Sequence, residues 1–158
     1  MPHDPRWAQL FETAAAELFQ LLGSRVTAVE HIGSTAVSGL DAKPVLDIMA
    51  SVSSLHLPES FFEDIQTIGY QHRPMDTVTG RLFFAKGPEN CRTHNLSVCE
   101  KGSTFWKSHI LFRDRLRSDL SLAARYAALK HELAKRFPDD RLAYTQAKER
   151  FILKAIGS

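Results

Sequence analysis

Between His31 and Met49, two glycines, two hydroxyl side chains, a lysine and an aspartate stand between two apolar runs. These are the residue types that hold phosphate. Gly33 lets the backbone turn sharply, and Ser34 and Thr35 can cap a short helix whose free N–H groups face an anion. Lys43 adds a positive charge, and Asp47 sits in an apolar run that reads as a strand. A strand covered on both faces does not carry a carboxylate without a use, so Asp47 is the leading candidate for chemistry. Plainer readings stand beside this one. A strand-to-helix turn with a capping hydroxyl gives the same letters Gly33-Ser34-Thr35, Asp47 could be a structural acid paired with Lys43 or an arginine, and Lys43, extended ahead of Pro44, could be solvated.

A second group lies at Arg113, Asp114, Arg115 and Arg117. Arg113 and Arg117 are four residues apart, so on a helix they share a face and can clamp phosphate bidentately, with Asp114 orienting one of them. A solvated face is the alternative. In the run 93–98, Thr93, Asn95 and Ser97 alternate with His94, Leu96 and Val98, which gives a strand one polar face for water or a cleft. His31 and His94 fit either a core histidine bonded to its surroundings or a ligand contact.

The elements that must position these groups can be read from caps and periodicity. Asp4-Pro5 starts a helix, Trp7, Leu10, Phe11, Ala14, Leu18, Leu21 and Leu22 give it an apolar stripe, and Gly23 ends it. Strands are expected at 26–32 and 45–52, with one helical turn through Val37 between them. A helix at 59–68 leads to strands at 70–73, 81–86 and 91–100, the last two joined by a Gly87-Pro88-Glu89-Asn90 turn and paired antiparallel. Three helices follow, one ending near Ser118, one capped by Ser118 or Asp119 and running through Lys135, and one starting at Pro138-Asp139-Asp140. The sum is a mixed α/β (α+β) domain with a C-terminal helical section, in one unit of residues 1–158.

Composition narrows the classes. A chain of 158 residues, 44% hydrophobic, can bury a core of its own. Its 20 Lys+Arg against 18 Asp+Glu argue against nucleic acid as a bulk partner. No apolar run approaches the roughly 18 residues of a membrane span, and the opening residues lack the pattern of a signal peptide, so a cytoplasmic location is expected. Cys91 and Cys99 fit neither a disulfide framework nor a zinc site.

Ile32-Gly33-Ser34 followed, after twelve residues, by Asp47-Ile48 resembles the signature of the nucleotidyltransferase superfamily. Glu30-His31-Ile32-Gly33-Ser34-Thr35-Ala36-Val37 with Lys43-Pro44-Val45-Leu46-Asp47-Ile48 is similar to the GrpB family. Other blocks agree: His3-Asp4-Pro5-Arg6-Trp7, Arg92-Thr93-His94, Phe112 to Arg117, Tyr126 with Leu129-Lys130, and Tyr144 with Lys148. The resemblance implies a nucleotidyltransferase-like fold and a small phosphate-bearing ligand, a nucleotide or a coenzyme-A-like molecule. It also implies transfer of a nucleotidyl group with Mg²⁺, or binding without catalysis. In that superfamily two acids two residues apart on one strand hold the metal. Here Asp47 is the first, but the second position is Met49, a poor Mg²⁺ ligand, so Glu30 or Glu100 would have to complete the pair. Lys130, Tyr144 and Lys148 are second-rank ligand contacts on the same resemblance. Where the family carries histidines, this chain has Asn95 and Ser97.

Overall fold

A computed structural model describes residues 1–74 and 80–157, apart from the side chain of Arg141. Helix α1 (Arg6–Leu22) opens on Asp4, whose carboxylate accepts from the Arg6 amide at 2.9 Å and whose carbonyl accepts from Trp7 at 3.0 Å. Strand β1 (Ala28–Ile32), a single 3₁₀ turn at Ser34–Ala36, and β2 (Leu46–Val52) follow. Then come α2 (Glu59–Thr67), β3 (Tyr70–His72), β4 (Leu82–Lys86) and β5 (His94–Glu100). The chain finishes with α3 (Thr104–Ser118), α4 (Leu120–Arg136) and α5 (Arg141–Ala155). Each of these last helices has a side-chain cap: Ser103 accepts from Trp106, Asp119 from Leu122 and Asp140 from Ala143.

The strands form one mixed sheet in the order β1-β2-β5-β4-β3. Pairing is antiparallel except between β2 and β5, which run parallel with Asp47 opposite Asn95 and Met49 opposite Ser97. The two strands expected to begin early start later, β1 at Ala28 and β5 at His94. Cys91 and Thr93 instead close the turn after β4, donating to the carbonyls of Pro88 and Lys86. Gly87 makes that turn possible, since at φ +106° a Cβ would come within 2.9 Å of the Cys91 carbonyl oxygen.

Period-two alternation gives the sheet two different faces. One face, with Leu46, Ile48, Leu96, Val98 and Phe84, packs under α1 and α2 against Trp7, Leu18, Phe61 and Ile65. The other carries Ile32, Met49 and Cys99, covered by Phe105, Trp106 and Ile110 of α3. Helices α3 to α5 share a core of Phe112, Leu116, Tyr126 and Ile152, which also takes in Val37 and Leu40 from the segment after β1. Among the described residues, no helix is long and apolar enough to cross a membrane.

On the α1 side, the Tyr70 hydroxyl is a polar atom held at a loss. Tyr70 is fully buried, and its hydroxyl has no hydrogen-bond partner among the described residues. An unpaired buried hydroxyl costs roughly 1–3 kcal/mol. Tyr70→Phe is therefore expected to raise the free energy of unfolding in urea by about 1 kcal/mol or more, and a fall in stability would contradict the assignment.

Candidate functional site

Gly33 is the hinge of the site. It sits at φ +73°, and a Cβ there would lie 2.6 Å from Oδ2 of Asp47, the residue paired with the neighbouring Ile32 at the end of the β1–β2 ladder. Only glycine lets the backbone pass this close to the carboxylate. The turn that follows is tied down from below: His31 Nε2 and Thr35 Oγ1 are 2.8 Å apart, and the His31 ring stacks on Phe11 at 4.8 Å. His31 thus belongs to the α1 side of the sheet. Burial, with lesser contributions from the charges of Arg117, Arg113 and His3, pushes it down to about 4, so it is a neutral residue that orders the loop. His94 also points to the α1 side, bonded to Thr93 at 2.7 Å and edge-on to Tyr70, and burial lowers its pKa.

Above the other face lies a cleft of about 500 Å³ between the sheet and α3 to α5. Gly33, Asp47, Asn95 and Ser97 form part of its floor, and Phe105, His109, Phe112, Tyr126, Lys148 and Glu149 part of its helical wall. Asp47 Oδ1 accepts from Asn95 Nδ2 at 3.2 Å. Burial raises the pKa of Asp47, against the opposing pull of Lys148, Asn95, Lys130 and Arg81. Lys130 donates to the Ser34 hydroxyl, and its ammonium also lies 5.1 Å from the Tyr126 ring centroid. Burial first and then the charge of Lys148 push Lys130 down to about 8. Lys148 sits 5.8 Å over the ring of Tyr144, and Lys43 is exposed, close enough for its charge to bear on Lys130. His109 donates from Nδ1 to the Phe105 carbonyl (2.9 Å) and turns Nε2 toward Glu149 (3.8 Å).

Gly33, Ser34, Asp47, Lys130 and Lys148 are thus brought together, whereas the expected arginine clamp is not. Arg113 is buried between Glu30 (2.8 Å), Asp114 (3.0 Å) and the His31 carbonyl (3.2 Å), and Arg117 Nε donates to the Ala36 carbonyl (2.9 Å). Their shared helix face meets β1 and the loop, whose own acceptors take up these donors. Arg73, Arg81 and Arg92 line the cleft instead. Arg92 stands in the family-like block Arg92-Thr93-His94, but no spacing joins the three, because they come from separate segments that meet only once β3, β4 and β5 have paired.

The GrpB protein family model matches residues 1–157. The chain belongs to the GrpB family. It is 36% identical to the glutamate-rich protein GrpB of Alkalihalophilus pseudofirmus, over 95% of this chain and 88% of that protein. It is also 35% identical to the YqkA protein of Bacillus subtilis, over 97% of this chain but 44% of YqkA, so it spans less than half of that relative. The crystal structure of GrpB from Enterococcus faecalis matches with a TM-score of 0.83 at 31% identity, covering 99% and 96% of the two chains. Cid1 in complex with its short product ApU matches with a TM-score of 0.57 at 16% identity, over 85% of this chain and 43% of Cid1. The GrpB fold of this chain is therefore nucleotidyltransferase-like.

The donors that this family member gathers round Asp47 do not fit Mg²⁺. Met49 is fully buried under α3, so the second acid position is an apolar core position. Glu30 is two residues off register from Asp47 and held by Arg113. Glu100, at the far end of β5, is five residues beyond the partner of Asp47, about 17 Å along the strand. Asn95 directs its N–H at Asp47, and Ser97 accepts from Arg81 at 2.7 Å. One carboxylate among several cations leaves a divalent ion short of oxygen ligands.

The neutral state of His31 has a measurable consequence. The unfolded chain takes up its proton near 6.5, while the folded chain resists until about 4. The contribution of His31 to stability is complete above pH 6.5 and is lost as pH falls toward 4, by about 3 kcal/mol. Subtracting the pH–stability curve of His31→Gln from that of the wild type isolates this from other titrating groups, and a flat difference across the window would refute it.

Proposed function

We propose that this protein binds a nucleotide or a related phosphate-bearing small molecule in the cleft. The phosphate lies at the loop end, by Gly33, Ser34, Lys130 and Lys148, and the organic part rests on Phe105, Phe112 and Tyr126. The observation that carries this reading is the Lys130 ammonium bonded to the Ser34 hydroxyl at the loop, with the charge of Lys148 bearing on it. Asp47 and Asp41 offset part of that repulsion, and a phosphate accepting from both ammonium groups would remove more of it. Ser34 supplies a hydroxyl already oriented by Lys130. The aromatic wall supplies apolar contact beside a small number of fixed polar groups, the usual make-up of a small-molecule site.

Two fates of the bound ligand compete. Likeness of fold to Cid1 favours nucleotidyl transfer to a small acceptor. Met49 and Asn95 beside Asp47 favour binding without metal-assisted transfer, of a nucleotide or a coenzyme-A-like ligand. Of these, the binding reading accords better with the donor set.

Calorimetric titration with ATP, ADP and adenosine, with chelator and then with Mg²⁺, tests both. ATP and ADP are expected to bind far more tightly than adenosine, with or without chelator, and Lys130→Met to weaken ATP about 10- to 100-fold by removing a charge-assisted contact. Equal affinity for adenosine and ATP would overturn the phosphate assignment. Release of pyrophosphate from ATP or UTP in Mg²⁺ would select transfer.

A further inference from the structure

The wall of the cleft opposite the loop is built from cations that the proposed phosphate contact leaves unused. Arg73 follows β3 and donates its amide to the Phe83 carbonyl at 2.8 Å. Arg81 precedes β4, gives Nη1 to Ser97 Oγ at 2.7 Å and lays its guanidinium over Phe83, 4.4 Å from the ring centroid. Arg92 is presented by the tight Gly87 turn just ahead of β5. Three guanidinium groups thus share one wall of the cleft, next to the polar side chains of Asn95 and Ser97. Asp47 accepts from Asn95, and Glu149 faces His109.

The buried polar atoms at this end that lack partners among the described residues include Nε of Arg73 and Oδ1 of Asn95. One is a donor and the other an acceptor, and both belong to residues that line the cleft. Buried polar atoms are ordinarily hydrogen-bonded, so an orphan pair in a concave site calls for a ligand that offers an acceptor to the first and an N–H or O–H to the second. An anionic group bearing or adjoining a hydroxyl or amine has that chemistry.

We propose that Arg73, Arg81 and Arg92, with Asn95 and Ser97, form a second, metal-independent anion site for a carboxylate or phosphate group. It stands apart from the phosphate at Ser34 and Lys130. Asp47 is on β2 and Arg81 leads into β4, two strands away, so their backbones lie about 10 Å apart across the sheet. The cleft holds two anionic groups at once, either the two ends of one ligand or a phosphate-bearing ligand and an anionic co-ligand. The proposal rests on the reading that the cleft takes a phosphate-bearing molecule at its loop end, and the two are separable in one experiment.

Amide chemical shifts report on each end independently. With chelator present, inorganic phosphate and acetate are titrated separately into ¹⁵N-labelled protein, with Phe83, Asn95 and Ser97 marking the arginine end and Ser34 and Thr35 the loop end. Arginine-end amides are expected to move with at least one ion. Acetate acting there without the loop end identifies a carboxylate, and phosphate alone identifies a phosphate. Arg73→Gln with Arg92→Gln is expected to raise the apparent Kd at this end at least tenfold while leaving the loop-end shifts unchanged, and Lys130→Met to do the reverse. Arg92→Gln alone, altering a residue outside the sheet, carries the test if the double variant does not fold. Loss of only the loop-end response would refute the phosphate contact at Ser34 and leave this site standing. Arginine-end amides that stay still with both ions, or that respond identically to both sets of substitutions, would overturn it.

Discussion

The approach of the Gly33 backbone to the carboxylate of Asp47 is the contact on which the remainder of the site hangs. Because no Cβ intervenes, β1 can end directly above β2's aspartate, and the chain leaves the sheet there and not one residue earlier or later. The segment that departs is then held from three directions: His31 bonds Thr35, Arg117 bonds the Ala36 carbonyl, and Val37 and Leu40 enter the core of the last three helices. That core in turn fixes α4 and α5, so the ammonium groups of Lys130 and Lys148 come to bear on Asp47. A side chain at position 33 would displace the loop, and with it the roof of the cleft.

The division of labour among arginines follows from the same packing. Arg113 neutralises Glu30 and ties α3 to β1, a structural ion pair across 83 residues of sequence. Arg113 is buried while the Glu30 side chain is 40% exposed, so the pair serves more to position α3 against β1 than to stabilise the fold. Arg73, Arg81 and Arg92 line the open cleft. With Lys148 they place four basic side chains on its lining, a cluster that the near-neutral composition of the whole chain does not announce.

Local signals in the sequence were enough to locate α1, β2 and the three C-terminal helices. Gly23, Asp119 and Asp140 act within a turn of where they stand, and the apolar run of β2 reflects cover on both faces. Alternation also put Asn95 and Ser97 on a polar face. What alternation cannot specify is the neighbour: the parallel pairing of β2 with β5 joins Asp47 to Asn95 across 48 residues, and no local preference encodes it. Arg113 and Arg117 show the complementary limit. Their spacing does place them on one face, but whether that face meets ligand or protein depends on Glu30 and the carbonyls of His31 and Ala36 arriving there first. Lys130, Lys148 and Arg92 emerged through family resemblance, Arg92 without a role attached to it, while Arg73 and Arg81 left no trace.

Asp47 and Lys130 complete the physical picture. Burial pushes the carboxyl up and the ammonium down, each toward neutrality, while their mutual attraction opposes both shifts. Lys148 acts on both, favouring a charged Asp47 against the stronger effect of burial and disfavouring a charged Lys130 along with it. A single buried acid facing several cations is a poor cradle for Mg²⁺, whose own two charges would add to the repulsion, and a good one for an anion, which relieves it. The residues that depart from a metal-binding pattern, Met49, Asn95 and Ser97, and the arginines that surround them are thus parts of one electrostatic solution. On the proposed reading, these side chains supply the positive charge that a divalent ion would otherwise bring with its substrate.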